Sequence, residues 1–268
     1  MARRGTIRTG IGGWTFEPWE GSFYPDDLPK KRQLEYAASK LRTIEVNGTF
    51  YRSQKPETFA KWASEAPEGF VFSLKAPRYA VNRKVLAEGG ESIQRFVESG
   101  IAELGDKLGP LLWQLAATKQ FDPDDFGAFL KLLPASAGGI ALRNVVELRH
   151  ESFACPQAVQ MCREAGVAIV YAESADYPEI ADVTADFVYA RLQKGDAGIA
   201  TGYPADALDA WAERARQWAS GGQPADLPRH DPETVAAETP RDVFAYFIRE
   251  GKVRAPQAAM ALQERLDD

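Results

Sequence analysis

Eight apolar, β-branched and aromatic runs recur along the chain, and most are separated by segments of helical periodicity. They are TIRTGIGGW (6–14), TIEVNGTF (43–50), FVFSLKAP (70–77), PLLWQLA (110–116), VVELRH (145–150), AIVYAES (168–174), FVYARLQ (187–193) and DVFAYFIR (242–249). Bounded by turn residues, each has the signature of a strand. Between them, KRQLEYAASKL (31–41) places Leu34, Ala37, Ala38 and Leu41 on one face. ESIQRFVESGIAEL (91–104), PADALDAWAERARQWA (204–219) and APQAAMALQERL (255–266) carry similar stripes. Strands joined through helices run parallel, because parallel neighbours need a crossover. Eight such units predict an α/β fold, a closed TIM-type (β/α)8 barrel forming one domain over residues 1–268.

One link departs from the pattern. The short connection between the sixth and seventh strands, ADYPEIADVTA, has no helical face, so an irregular barrel with that helix missing is expected. The segment GGQPADLPRHDPETVAAETP (221–240) reads as a long loop. An open doubly wound sheet would instead carry a glycine-rich phosphate turn after its first strand. GIGGW lacks that G-x-G-x-x-G spacing.

Composition agrees with a large buried core, since 45% of residues are hydrophobic and 26% charged. A formal net charge of −6 argues against a general binder of nucleic acid or anionic membrane. Cys155 and Cys162 fall in one expected helix, about two turns apart, too far for a disulfide. A reducing, cytoplasmic setting is therefore expected. Neither an apolar stretch behind the basic MARRG nor a run of about 20 apolar residues occurs, so no export signal or membrane span is expected.

The stretch RTIEVNGTFYR (42–52) puts Ile44 and Val46 on one face and Glu45 and Asn47 on the other. A carboxylate and an amide buried on a core strand are costly unless paired. In a barrel, chemistry collects at the C-terminal ends of the strands, which explains the expense. The same position on other strands offers Lys75, Gln114, Glu147 with Arg149, Tyr171 with Glu173, Arg191 with Gln193, and Phe247 with Arg249. A structural salt-bridge lattice is the competing explanation, but buried ion pairs are poor stabilisers.

Metal and cofactor chemistry find little support. His150 and His230 are the only histidines, and neither H-E-x-x-H nor C-x-x-C is present. A carboxylate-only site from Glu45, Glu147 and Glu173 competes, but Lys75, Arg149 and Arg191 would already neutralise those acids. No metal and no cofactor are therefore assigned. Cations beside carboxylates better suit a small anionic substrate, phosphorylated or sugar-like. Lys75 could also form a Schiff base, although FSLKAP alone carries no sign of a lowered pKa. No G-x-S-x-G occurs, and His150 has no evident Ser partner. Among the early aromatics, Trp14 and Tyr51 stand nearest the strand ends, as a stacking wall for a sugar or base. Arg78 adds a cation to that rim.

GIGGWTFEPWEGSFYP, TIEVNGTFYR, FVFSLKAPR, KLGPLLWQL, VVELRHESF and DFVYARLQKG resemble, in order, the motifs of the domain of unknown function 72 family, the YecE-like proteins. The resemblance runs over nearly the whole chain. It implies a TIM-type barrel and brings no activity with it. It implies that Trp14, Glu45, Asn47, Phe50, Tyr51, Lys75, Arg78, Gln114, Glu147, Arg149, His150 and Arg191 belong to the shared pattern. Two departures stand out. Gln193 replaces the usual His of R-L-H-G, and Phe247-Ile248-Arg249-Glu250 replaces an F-N-N-D-like run.

The leading expectation is an acid–base hydrolase, lyase or isomerase working at the barrel mouth without a metal. Glu45 or Glu147 would move protons, with Lys75, Arg149 and Arg191 supporting negative charge. Trp14, Asn47, Tyr51, Arg78, Gln114, His150, Tyr171, Gln193 and Arg249 would bind substrate. A nucleic-acid-binding or -processing protein and a non-catalytic binding protein are the alternatives.

Overall fold

In the computed structural model, which describes residues 4–267, the eight runs form eight parallel strands. The ends of the expected domain, residues 1–3 and 268, lie outside the described residues. The strands are β1 (Ile7–Gly12), β2 (Thr43–Val46), β3 (Val71–Lys75), β4 (Leu108–Gln114), β5 (Asn144–Glu147), β6 (Ala168–Glu173), β7 (Phe187–Lys194) and β8 (Asp242–Glu250). Each pairs with the next, and β8 closes on β1 with Gly10 opposite Tyr246.

Helices follow seven of the strands: α1 (Gln33–Lys40), α2 (Pro56–Glu65), α3 (Gly90–Val97), α4 (Pro123–Leu132), α5 (Pro156–Glu164), α6 (Ala205–Ala219) and α7 (Ala255–Asp267). Proline opens α2, α4 and α5, where its fixed φ suits the first turn and no amide donor is wasted. No helix stands between β6 and β7. That segment is fastened by the long loop before β8, since Asp182 accepts hydrogen bonds from the backbone N–H of His230 (2.7 Å) and Asp231 (2.9 Å).

Several expected bounds move. The run at 43–50 leaves the sheet at Val46, and Gly48–Tyr51 forms a helical turn, with Thr49 donating to the Val46 and Lys75 carbonyls. The expected helix over 91–104 stops at Val97, because Gly100 adopts a left-handed φ of 103° and a 3-10 segment follows. Cys155 caps α5 and Cys162 lies within it, both as free thiols. Among the described residues no helix is long and apolar enough to cross a membrane.

Two apolar layers result from strand alternation. Outward residues such as Ile44, Phe72, Trp113 and Val146 pack beneath the helices. Inward residues such as Val71, Leu112, Val145, Val170, Tyr189, Phe244 and Tyr246 fill the barrel. Gly10 is required for closure, since a Cβ there would lie 2.0 Å from the Thr43 carbonyl oxygen. The filled lower barrel leaves only its upper end for chemistry.

Candidate active site at the barrel mouth

A belt of hydroxyls separates the apolar floor from the charged rim. Tyr189 and Tyr246 pack at 4.8 Å, and the Tyr246 hydroxyl lies 2.8 Å from Thr43 Oγ1. Tyr189 donates to Glu45 Oε2 at 2.8 Å. Burial and the Glu45 charge raise the Tyr189 phenol well above its ordinary pKa, so it remains a donor.

Above this belt Arg191 joins β2 to β5. Its Nε and Nη2 each donate to Glu45 at 3.0 Å, and its Nη1 donates to Glu147 Oε1 at 2.6 Å. All three side chains are at most 5% exposed. Burial alone would lower the Arg191 pKa, but Glu147 and Glu45 overcome it and hold the guanidinium charged. Burial likewise pushes Glu147 up, and Arg191, Arg149 and Lys75 outweigh it and hold the carboxyl below its usual range. Both Glu45 oxygens are occupied, and Glu147 stays ionised. The two acids therefore position Arg191, and Glu147 is poorly suited to exchange protons near neutrality.

Lys75 contrasts with them. It ends β3 almost buried, with Nζ 4.3 Å from the centre of the Phe50 ring. It forms no ion pair with Glu45 or Glu147, because Arg191 and Arg149 take those oxygens. Burial, reinforced by Arg191 and Arg149 and opposed by the two glutamates, brings its pKa down to about 8. Lys75 is thus the rim group best placed to gain or lose a proton at neutral pH.

Five buried polar atoms here find no hydrogen-bond partner within the protein: Gln114 Oε1, Glu147 Oε2, Arg149 Nε, and both amide atoms of Gln193. Glu147 Oε2 lies 3.1 Å from Arg149 Nη2, but the hydrogen bond from that nitrogen goes to Oε1. Unpaired buried polar groups each cost about 1–3 kcal/mol, so the atoms that no ion pair satisfies are expected to meet water or a ligand.

A cavity of about 220 Å³, connected to this rim through Arg191, opens between β1, β2, β7 and β8. Gly12, Trp19, Asn47, Arg191, Arg249 and Lys252 line it with Phe247 and Ile248, so it holds three cations and no carboxylate. Larger hollows of about 720 and 700 Å³ lie against α3 and α4 and beyond β3 and β4, apart from this polar cluster. A register shift between Phe247 and Glu250 puts Arg249 at a φ of 62°, the one left-handed non-glycine residue among those described. Such strain persists only where surrounding structure imposes it. Arg249 reaches Asp176 at 2.9 Å, and its guanidinium and that of Arg149 lie 5.3 and 4.4 Å from the Tyr177 ring.

A profile of the family described as "Protein of unknown function DUF72" matches residues 8–268. The chain belongs to the DUF72 family. A DUF72 protein of Thermotoga maritima MSB8 shares its fold with a TM-score of 0.72 and 20% identity, covering 98% of this chain and 100% of that one. Another from Enterococcus faecalis V583 gives 0.70 and 19%, covering 98% and 96%. The UPF0759 protein YecE of Escherichia coli K12 is 28% identical over 120 residues, 45% of this chain and 42% of YecE. The match thus spans less than half of that relative.

In this DUF72 barrel, Glu45, Lys75, Gln114, Glu147, Arg149, Arg191 and Gln193 converge at the mouth, with Asn47 and Arg249 on the adjoining cavity. Other expected site residues do not line the cavity. Tyr171 points into the helical layer, because Val170 and Ala172 take the inward positions; it packs on Trp211 and Trp218 and donates to Glu179. Glu173 lies on the same outer side, accepting from Tyr203, so it cannot join Glu45 and Glu147 around a cation. Among the described residues no group of three His, Cys, Asp or Glu is arranged to hold a metal.

Phe247 borders the cavity but packs its ring outward against Tyr203. His150 does have a Ser partner: its Nδ1 lies 2.9 Å from Ser152 Oγ and accepts from the Ser152 N–H, capping the 3-10 turn that follows. Trp14 packs edge-on against Trp62 of α2, and the aromatic wall of the cavity is Trp19 instead. Tyr51 is 69% exposed and borders only Phe50 among aromatic rings, while Arg78 is exposed at the start of a helical turn. Trp19, Tyr177 and Lys252 were missed. The first and last lie past strand ends in aromatic or basic segments, but Tyr177 sits in the helix-free connection, whose sequence gives no periodic signal.

Proposed function

We propose that this DUF72 barrel is an enzyme performing acid–base chemistry on a small anionic substrate, phosphorylated or sugar-like, held at the mouth. The carrying observation is the cavity lined by Arg191, Arg249 and Lys252, joined through the Arg191–Glu147 pair to a rim on which five buried polar atoms have no hydrogen-bond partner within the protein. A purely structural lattice would pair its members, since each orphan weakens the fold. Lys75, whose pKa is lowered to about 8, is the reactive amine of the rim. Three Arg191 N–H groups hold the glutamates, and the remaining N–H groups of Nη1 and Nη2 face the anion with Arg249 and Lys252. Asn47, Gln114 and Gln193 orient hydroxyl or carbonyl groups, and Arg149 supports developing negative charge. The nucleic-acid alternative loses one of its two stacking rings, because Trp14 is engaged with Trp62.

Thermal-shift measurement against inorganic phosphate, sugar phosphates and sugar acids tests this reading, with Gly12→Val as the control. A Cβ at Gly12 would lie 3.0 Å from both Asn47 Nδ2 and Ile248 Cγ2, so valine fills the cavity. The wild type is expected to gain stability with an anion class by mass action, and Gly12→Val to lose that gain. An equal gain in both proteins moves binding elsewhere.

A further inference from the structure

We propose that Lys75 is a nucleophile that forms an imine with an aldehyde, ketone or 2-oxo acid bearing an anionic group, an inference that rests on the mouth being an anion site. The geometry isolates the amine. Lys75 is 7% exposed, Nζ stands over the Phe50 ring at 4.3 Å, and neither neighbouring carboxylate forms an ion pair with it. A buried ammonium without such a partner is costly, so burial lowers the pKa to about 8 against the pull of the Phe50 ring face and the two glutamates, and raises the share of neutral, nucleophilic amine present near neutral pH. The charged groups acting on it are Arg191 and Arg149 against the ammonium and Glu45 and Glu147 in its favour, and burial tips the balance. The cationic cavity of Arg191, Arg249 and Lys252 supplies the counter-charge for the substrate's anionic end.

The chemistry balances without an oxidant or cofactor. The nitrogen lone pair adds to the carbonyl carbon, and the carbon–oxygen π pair becomes an alkoxide that takes one of the two protons of the added nitrogen, giving a neutral carbinolamine. The hydroxyl takes a proton from solvent and leaves as water while the nitrogen lone pair forms the C=N bond of a protonated imine. One carbonyl, one amine and one solvent proton give one protonated imine and one water. The protonated imine carries the charge that the ammonium carried, where Glu45 and Glu147 already favour a cation. It then serves as an electron sink for removal of a proton or cleavage of a bond next to the former carbonyl, which selects lyase or isomerase chemistry over hydrolysis.

Reductive trapping tests the proposal on the whole chain. The protein is treated with glyoxylate, pyruvate or dihydroxyacetone phosphate and cyanoborohydride, and adducts are mapped by mass spectrometry. At pH 7 a pKa of about 8 leaves on the order of a hundredfold more neutral amine than an ordinary lysine has. Lys75 is therefore expected to dominate the adduct map, its labelling to level off above pH about 8, and inorganic phosphate to suppress it. Lys75→Met should remove the dominant adduct while surface lysines label as before.

Thermal shifts with the same three probes, without reductant, separate the two readings. Probes that stabilise the wild type but not Gly12→Val, with Lys75 labelled no faster than surface lysines, overturn the imine and leave the anion site standing. Selective Lys75 labelling that phosphate leaves unchanged keeps the nucleophile and removes the anion site. Neither shift nor selective label overturns both.

Discussion

Replacing Arg191 with methionine is expected to cost about 3–5 kcal/mol of folding stability, the usual penalty for removing one partner from a buried ionic group. Glu45 and Glu147 would then share the barrel interior at 0% and 1% exposure with no guanidinium between them. A domain whose stability is about 5–15 kcal/mol loses a large part of it. The deficit also depends on pH. In the wild type Glu147 is held below its unfolded pKa, so it contributes stability above the ordinary carboxylate range and loses it on acidification. Without Arg191 burial dominates and the folded pKa rises, so the variant's penalty fades as protons bind. Denaturant unfolding should give a large gap at pH 7 that narrows toward pH about 4. A double variant adding Glu45→Gln should recover much of the loss, since Glu147 keeps Arg149 and no buried carboxylate is left without a cation. A small penalty for Arg191→Met, independent of pH, would mean that water reaches these carboxylates.

Lys252→Glu should have the largest effect on binding. Lys252 follows β8 in a short 3-10 turn, its ammonium 4.3 Å from the Phe16 ring centre, and its carbonyl accepts from Trp19 Nε1 at 2.9 Å. The backbone anchor is independent of the side chain, so the exchange changes the cavity's charge with little change in its walls. One of three cations becomes an anion facing the ligand. Phosphate affinity is expected to fall on the order of a hundredfold, a loss of about 2–3 kcal/mol. Isothermal titration of both proteins measures this, and circular dichroism checks that the fold survives. Unchanged affinity would remove Lys252, and with it the cavity, from the site.

The barrel was legible because strands and helices impose different periods, and ADYPEIADVTA breaks both. The rim was legible in part because alternation is strict. Once Glu45 faces inward on β2, the same reasoning places Lys75, Glu147 and Arg191. It failed on β6, where AIVYAES is apolar on both faces and cannot say which set points in; small Val170 and Ala172 do, and Tyr171 and Glu173 do not. Such strands fix their face through packing against neighbours. The contact of His150 with Ser152 went unread because a side chain capping a turn looks like a free imidazole in sequence. The left-handed Arg249 depends on a bulge, which nothing in FAYFIRE marks. Tyr177 depends on how two irregular segments clasp, a tertiary matter.

The most direct test is a crystal structure of the protein soaked in phosphate. The account predicts an anion in the cavity of about 220 Å³, hydrogen-bonded to Arg249 and Lys252, with Gln114 and Gln193 meeting the ligand or waters that surround it. A phosphate bound only at other surfaces, with the five orphaned atoms paired to one another through rearranged side chains, would contradict it.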